Sequence, residues 1–317
     1  MDDAAANGAA APVAGTPSSR AWPLATLASI GRLHIVAIAV MGCFTFGWIF
    51  TGRYPWLIAA VCGLDWFVVN LLNRAVDLKE DQLNRIAGTD FVARHRTVVL
   101  WVGFVALVIS LVAVTFWEPV LTPLRVVGHL LAFSYNWPLL PGGRRIKELY
   151  FFKNAASAMG FMITVFGYPL AVATWGRHGA GLAPDVTLMT VLTAGLFFFL
   201  FELSYEVLYD LRDAPGDKEA GVRTFPVVHG ERGAVRIIDG LLGSSLVIVV
   251  GGYLLALVPW RLCIMFAAPA LQLVLYKRML RRGISSGDCV LITWLGVGLL
   301  ATYHLWVALD LPGARGF

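Results

Sequence analysis

Charged residues are scarce in this sequence: Asp, Glu, Lys and Arg make up 14% of its 317 residues, while hydrophobic residues make up 58%. A soluble domain carries roughly a quarter of charged residues, so the composition excludes an ordinary soluble globular protein. The mean hydropathy of +0.72 favours helices that lie in a lipid bilayer. The sequence therefore predicts an all-α, polytopic bundle in the cell membrane, such as a bacterial inner membrane.

Cysteine is also scarce, and its four positions form no Cys-x-x-Cys pair. This excludes a disulfide framework and a cysteine metal site, and it is typical of small buried side chains. Residues 1–20 lack a basic segment followed by an apolar one, so they do not resemble a secretory signal. Their Ala, Gly, Pro and Ser content predicts a disordered cytoplasmic tail, followed by a single membrane domain at residues 21–317. Nothing indicates nucleic-acid binding or an obligate protein partner.

Nine apolar runs of roughly 17–25 residues are long enough to cross a bilayer. They lie near residues 30–50, 56–76, 97–117, 124–140, 154–175, 187–209, 235–258, 261–280 and 288–309. With nine crossings, the 25 Lys and Arg residues divide into 20 on the side of the N-terminus and five opposite, namely Arg53, Arg125, Arg177, Arg261 and Arg315. The positive-inside rule then predicts a cytoplasmic N-terminus.

The first acidic cluster, Asn73, Asp77 and Asp81, follows the apolar run at residues 56–70. The i, i+4, i+8 spacing predicts one helix face with each residue about 6 Å beyond the last. Oxygen ligands on one face suit Mg²⁺ and leave positions for water and phosphate oxygens. A solvated helix end with ordinary acidic residues is the alternative interpretation.

The second cluster, Asp210, Asp213 and Asp217, follows the apolar run at residues 187–203. Because Pro215 and Gly216 precede Asp217, we expect the helix to stop there and Asp217 to fold back from the next turn. A polar loop after a span is the alternative for this cluster.

Two further acids continue the second cluster into the apolar run. Glu202, Glu206 and Asp210 repeat at four-residue intervals, and acids within a membrane span are functional candidates by default. Each could instead be a structural partner of an Arg or a hydroxyl. The residues 197–201 are rich in Phe and suit bundle packing, although an aromatic lining also stabilises a carbocation.

A polar loop between the fourth and fifth spans carries Tyr135, Arg145, Lys147 and Lys153. Its cations suit phosphate oxygens, but an ordinary cytoplasmic excess of positive charge explains each of them equally well. His34, His129 and His304 lack metal-ligand spacing, so we expect bundle histidines with satisfied ring nitrogens.

Together these residues resemble the UbiA-type membrane prenyltransferases. That family has a first motif Asn-Asp-x-x-Asp-x-x-x-Asp and a second motif Asp-x-x-Asp-x-x-x-Asp, often with Gly before the last Asp. The first matches Asn73, Asp77 and Asp81; the second matches Asp210, Asp213, Gly216 and Asp217. Tyr135 with Lys147, and the stretch from Gly221 to Thr224, resemble two further family elements. Arg74 departs from the pattern, because it replaces the usual second Asp and removes one potential ligand.

The resemblance implies transfer of an isoprenyl group from an isoprenyl diphosphate to a small acceptor, with Mg²⁺ as cofactor. It implies an aromatic acceptor similar to 4-hydroxybenzoate or a quinone precursor, and catalytic roles for Asp77, Asp213, Lys147 and Glu206. The implied metal ligands are Asn73, Asp77, Asp81, Asp210, Asp213 and Asp217. The implied diphosphate-binding residues are Asn73, Arg145, Lys147, Lys153, Tyr135 and Arg223.

Other functions remain open from the sequence. Within the same fold, the acceptor could be a lipid or a phosphosugar, or the enzyme could cyclise a prenyl chain. An ion-coupled transporter is the alternative from a different class, although its acids would lie near the membrane midplane on broken helices. The acids here lie mostly at span ends, which favours the enzyme. Arg74 also leaves room for a non-catalytic relative.

Overall fold

The computed structural model describes residues 28–83, 86–219 and 221–312, so the predicted tail at residues 1–20 lies outside the described residues. Within these ranges the regular structure is helical, apart from one isolated bridge between Leu140 and Arg144. The α-helices are α1 (Leu33–Thr51), α2 (Trp56–Val76), α3 (Leu78–Leu83), α4 (Thr89–Arg94), α5 (Arg96–Trp117), α6 (Leu121–Asn136), α7 (Tyr150–Phe161), α8 (Tyr168–Trp175), α9 (Leu188–Glu219), α10 (Phe225–Leu254), α11 (Ala267–Leu280) and α12 (Ser286–Ala308). A π-helical segment, Met162–Gly167, joins α7 to α8, and 3₁₀ turns cover Ile146–Glu148 and Trp260–Phe266.

Eight helical segments of the described chain are long and apolar enough to cross a membrane. The one remaining predicted crossing, at residues 124–140, corresponds to α6. Its 16 residues fall below that length, but it packs between α5 and α7. The predicted run at residues 56–76 coincides with α2. The prediction of a multi-pass helical bundle is thus confirmed.

Two helices differ from the predicted runs at the ends that carry polar residues. Helix α9 continues ten residues past the predicted end at residue 209, and α10 begins at Phe225 instead of residue 235. Hydropathy marks only the part of a helix that suits lipid, so it misses polar turns that extend beyond the bilayer. Helix α10 also contains a kink at Gly230, whose φ of 69° is accessible to glycine without strain.

The crossing helices form a ring in chain order. Successive crossings contact each other, and α12 packs against α1, so the last helix meets the first. Small residues allow close approach: a Cβ on Gly63 of α2 would lie 2.5 Å from Val40 on α1. The outer face of α5 leaves Trp101, Ile109 and Phe116 exposed, as expected for side chains in contact with lipid.

Candidate active site

The first motif lies where α2 gives way to α3, and Asp77 caps α2 with φ −89° and ψ 26°. The expectation of one continuous helix face is therefore wrong in detail, because the helix breaks at Asp77. The backbone bonds nevertheless continue across the break: the Asp77 amide donates to Asn73 at 2.9 Å, and the Asp81 amide donates to Asp77 at 2.9 Å.

Both carboxylates of the first motif are buried and paired with cations. Lys147 Nζ lies 2.6 Å from Asp77 Oδ1, and Arg145 Nη1 lies 3.8 Å from the same oxygen. Arg74 Nη1 donates to Asp81 Oδ2 at 2.9 Å, and its Nη2 donates to the Ser29 carbonyl at 2.8 Å. Arg74, which departs from the family motif, therefore neutralises a motif carboxylate.

The second motif lies on one continuous helix, because α9 runs through Pro215 to Glu219. The expected interruption before Asp217 is wrong. Proline removes one backbone hydrogen bond, and the last turns of α9 tolerate this loss beyond the packed core. Since the helix continues, Asp210 and Asp217 face the same way, two turns apart.

One lysine connects the acids of the second motif to α7. Lys153 Nζ lies 2.8 Å from Asp210 Oδ1 and 3.3 Å from Asp217 Oδ2. Asn154 Nδ2 donates to Asp210 Oδ2 at 2.8 Å. Asp213 pairs with the adjacent Arg212, whose guanidinium also stacks on Tyr209. Lys153, which was predicted to bind diphosphate, thus lies beside two acids of the second motif.

The loop between α6 and α7 positions Lys147 through its 3₁₀ turn. Glu148 accepts hydrogen bonds from the Arg145 backbone amide at 3.1 Å and from Arg145 Nε at 2.6 Å. These bonds lower the pKa of Glu148, the backbone bond most of all. The charged Glu148 thus holds Arg145 in place, and the turn directs Lys147 to Asp77.

The two motifs, Lys147 and Lys153 line the mouth of one cavity of about 820 Å³. Tyr135 also lines the cavity, as predicted for a substrate-binding residue. Arg223, also predicted to bind diphosphate, is exposed and lies over the Tyr150 ring at 5.7 Å, and it does not belong to the cavity lining. The structure thus brings together every predicted site residue except Arg223.

Below the mouth, the cavity becomes largely aromatic and aliphatic. Trp66 stacks on Phe161 with ring centroids 4.1 Å apart, and Phe198 and Phe201 line the opposite side. The acids Glu206 and Glu202 lie one and two turns below Asp210 on α9, and both reach the cavity. Ser157 on α7 donates to Glu206 at 2.6 Å. A long apolar cavity behind a charged mouth suits a molecule with a charged head and a hydrocarbon tail.

A buried polar cluster at the inner end of the cavity was missed by the sequence argument. Arg125 is fully buried and donates from Nε and Nη2 to Asp65 at 2.9 and 2.5 Å. Tyr168 donates to Asp65 at 2.8 Å, and Ser110 accepts from Arg125 at its Oγ and carbonyl. The sequence analysis counted Arg125 among the residues on the outer side, whereas the structure buries it within the bundle beside Asp65. An acid inside the run at residues 56–76 was the signal that could have found this cluster.

His129 also differs from the expectation of a histidine with satisfied ring nitrogens. It is 6% exposed, lines the cavity, and its Nε2 lies 3.3 Å from Asp65 Oδ1. Within the described residues, neither ring nitrogen makes a hydrogen bond. The expectation of satisfied ring nitrogens is wrong for His129, and it holds for only one nitrogen of His304, whose Nε2 bonds Thr45 at 2.9 Å while its Nδ1 has no partner in the described chain.

The donor atoms at the mouth suit a hard divalent cation. Asn73 Oδ1 is buried and has no hydrogen-bond partner in the described part of the chain, and the neighbouring acids offer carboxylate oxygens. No group of three or more acidic, His or Cys side chains converges on one point among the residues described. An ion such as Mg²⁺ would therefore complete its shell with water and substrate oxygens, as this ion commonly does.

Comparisons with known proteins identify a family by sequence. The sequence profile of the UbiA prenyltransferase family matches residues 33–294. Digeranylgeranylglyceryl phosphate synthase of Thermococcus gammatolerans is 27% identical over 267 residues, which cover 77% of this chain and 86% of that protein. The Pyrococcus furiosus enzyme of the same name is 29% identical over 122 residues, or 38% of this chain and 36% of that one.

Solved structures share the fold at low sequence identity. A UbiA homologue from Archaeoglobus fulgidus, bound to DMAPP and Mg²⁺, aligns with a TM-score of 0.64 and 13% identity, covering 87% of this chain and 98% of its own. A structure from a study of digeranylgeranylglyceryl phosphate synthase in membranes aligns with a TM-score of 0.56 and 16% identity, covering 88% and 94%.

Proposed function

Because the chain belongs to the UbiA prenyltransferase family, we propose that it transfers an isoprenyl group from an isoprenyl diphosphate to an acceptor, with Mg²⁺ as cofactor. The observation that carries this proposal is the pairing of two acidic motifs with Lys147 and Lys153 at the mouth of one apolar cavity. The transporter alternative gains no support from this family.

The mouth residues would hold the diphosphate and its metal. Asn73 and Asp77 on one side, and Asp210, Asp213 and Asp217 on the other, offer the oxygen ligands, whereas Asp81 is tied to Arg74. When bound, Mg²⁺ supplies positive charge that stabilises the departing pyrophosphate. Lys147, Lys153 and Arg145 add fixed positive charge at the same place, where it favours cleavage of the bond between C1 and the diphosphate oxygen.

The acceptor's nucleophile bonds to C1 as the bond to the diphosphate oxygen breaks, and the acceptor then loses a proton. Glu206 lies one turn below Asp210, about 6 Å deeper in the cavity, which suits a base at the reacting carbon. Ser157 fixes the orientation of its carboxyl group. We assign Glu206 the role of accepting this proton.

Two acceptor classes have support. The aromatic lining around Trp66 and Phe161 suits a planar acceptor such as a phenol. The names of two relatives favour a lipid acceptor with a glycerol phosphate group. Acceptor identity therefore has to be decided by assay.

The decisive assay incubates purified protein in lipid nanodiscs with Mg²⁺, labelled isoprenyl diphosphates of several lengths, and both acceptor classes. We expect acceptor-dependent pyrophosphate release and a labelled product, and loss of both with excess EDTA. Full activity in EDTA, or no pyrophosphate release with any acceptor, would contradict the proposal.

The orientation is also part of the proposal. The excess of Lys and Arg on one side supports a cytoplasmic mouth and a cytoplasmic N-terminus. Single cysteines at Asp90 and Gly216, in a protein whose own cysteines are replaced, should resist a membrane-impermeant reagent in intact cells. A cysteine at Arg177 on the opposite side should react. Labelling of residue 90 or 216 from outside would refute this orientation.

A further inference from the structure

The inner section of the cavity, lined by Asp65, His129, Tyr168 and Glu202, lies well below both acidic motifs. Asp65 precedes Asn73 by eight residues on α2, and Glu202 precedes Asp210 by eight residues on α9. At the helical rise of 1.5 Å per residue, both acids lie about 12 Å deeper than the motif residues. A group in this section is therefore beyond the reach of the cations at the mouth.

The inner section contains no cationic side chain among the described residues that line it. The cavity-lining cations Arg32, Arg74, Arg145, Lys147, Lys153 and Arg212 all belong to the mouth, where they lie beside motif acids or adjoin them in sequence. Arg125 lies behind Asp65, fully buried, with its donors directed to Asp65 and Ser110. An anion placed in this section would lose its hydration without gaining a positive partner, which is costly.

The same section offers unused hydrogen-bonding groups. His129 is 6% exposed; its Nε2 faces Asp65 Oδ1 at 3.3 Å, and its Nδ1 has no hydrogen-bond partner in the described structure. Glu202 is 9% exposed, and within the described chain no hydrogen bond or ion pair holds its carboxyl group. An imidazole and a carboxyl group together can donate to and accept from a hydroxyl. Buried groups of this kind are normally satisfied, so their availability points to a ligand.

We propose that His129 and Glu202 bind the reacting end of the acceptor, and that they select an uncharged hydroxyl or phenol over a carboxylate or phosphate. This inference rests on the proposed function and sharpens it. The acceptor hydroxyl would lie beside Glu206, which is one turn above Glu202 on α9. An acceptor that also carries an anionic group would have to keep that group at the mouth, where it would compete with the diphosphate for the same cations.

Matched acceptor pairs test this selectivity, each consisting of a neutral molecule and its anionic counterpart. One pair is methyl 4-hydroxybenzoate and 4-hydroxybenzoate, and the other is a prenylated glycerol and its phosphate. We expect the neutral member of the productive pair to have a kcat/KM at least about tenfold higher, because the anion loses hydration without compensation. Equal or better use of the anionic member would overturn the inference.

Two variants separate selectivity from folding. Glu202→Gln replaces an acid, which repels anions whenever it ionises, by an amide that cannot ionise, so the preference for the neutral member should fall about tenfold, whatever the total activity. His129→Phe should raise the acceptor KM about tenfold and leave the affinity for isoprenyl diphosphate, measured by calorimetry, unchanged. Glu231→Gln, an exposed acid on α10 outside the cavity, is the control and should change neither value.

The outcomes distinguish the inference from the proposed function. A preference that persists unchanged in Glu202→Gln would overturn the role of Glu202. An acceptor KM unaffected by His129→Phe would overturn the role of His129. Absence of isoprenyl diphosphate binding in the unmodified protein would instead overturn the proposed function.

Discussion

The two acidic motifs have similar composition but different structural support. The first lies at a helix break, and its two aspartates have four basic side chains within 3.9 Å, namely Lys147, Arg145, Arg74 and Arg32. The second lies on one unbroken helix, and its three aspartates have Lys153 and Arg212. Among the described side chains, the first motif has more positive than negative charge even when Glu148 beside Arg145 is counted, whereas the second has more negative charge.

This difference predicts complementary tasks for the two sides of the mouth. A site with excess negative charge attracts a divalent cation, whereas one with excess positive charge attracts the diphosphate. We therefore expect the second motif to dominate metal binding in this chain. Four predictions test the comparison.

The largest effect should come from Asp213→Ala in the second motif. Without this carboxylate, the charge that stabilises the departing pyrophosphate is no longer held in place, so turnover should fall at least a hundredfold, or about 3 kcal/mol in the barrier. Pyrophosphate release measures the loss. A melting temperature close to that of the parent protein is the necessary control, and near-normal turnover in the folded variant would remove Asp213 from the metal site.

Substituting the two lysines should give unequal losses of stability. Lys153→Met leaves Asp210 and Asp217 without their shared cation, and buried charge without a partner is costly. Lys147→Met is the matched variant, and Asp77 there retains Arg145 at 3.8 Å. We expect the metal-free Tm to fall further in Lys153→Met, and Mg²⁺ to restore part of it. An equal decrease of Tm in the two variants would show that the two lysines stabilise their motifs equally.

Replacing Arg74 should remove the excess of positive charge at the first motif. In Arg74→Gln, Asp81 loses its hydrogen-bonded guanidinium and retains the more distant Arg32 at 3.9 Å, so its carboxylate becomes available to a metal. The affinity for Mn²⁺, measured by electron paramagnetic resonance on protein without substrate, should rise about tenfold at one site. Arg74→Lys keeps the charge and should leave the metal affinity near that of the parent. An unchanged affinity in Arg74→Gln would contradict the proposed division of tasks.

The smallest effect should come from Asp217→Asn at the end of the second motif. The Asp217 side chain is 17% exposed, and Lys153 retains the closer Asp210 when Asp217 is neutral. Water also screens this position, so turnover should fall only a few-fold. The Mg²⁺ concentration for half-maximal rate should rise by a similar factor. A loss as large as that of Asp213→Ala would place Asp217 among the essential ligands.

The sequence predicted the elements whose signal is local. The run at residues 56–76 coincides with α2, because lipid-facing helices have few ways to satisfy their backbone other than hydrogen bonds within the helix. The motif acids were found because their spacing is regular. The convergence of Lys147 on Asp77 was predicted only through the family resemblance, since the two residues lie 70 positions apart.

The residues whose positions were predicted wrongly depend on contacts with distant parts of the chain. Pro215 was expected to end α9, but the cost of a proline depends on where its turn packs. Arg125 was counted as an outside residue because a count of basic residues cannot reveal a buried partner on another helix. Asp65 is that partner, and an acid within an apolar run could have indicated a buried ion pair.

The pairing of Arg125 with Asp65 has a consequence for biogenesis. Helix α6 has 16 residues, about 24 Å, which is shorter than the roughly 30 Å hydrocarbon layer, and it carries an arginine. Such a segment partitions poorly from the translocon into lipid by itself, since it is short and an arginine within a membrane helix is costly. Asp65 on α2 is synthesised first and is already in the bilayer when α6 emerges. We therefore expect Asp65 to act as the counterion of Arg125 and to lower the free-energy cost of inserting α6 into the bilayer.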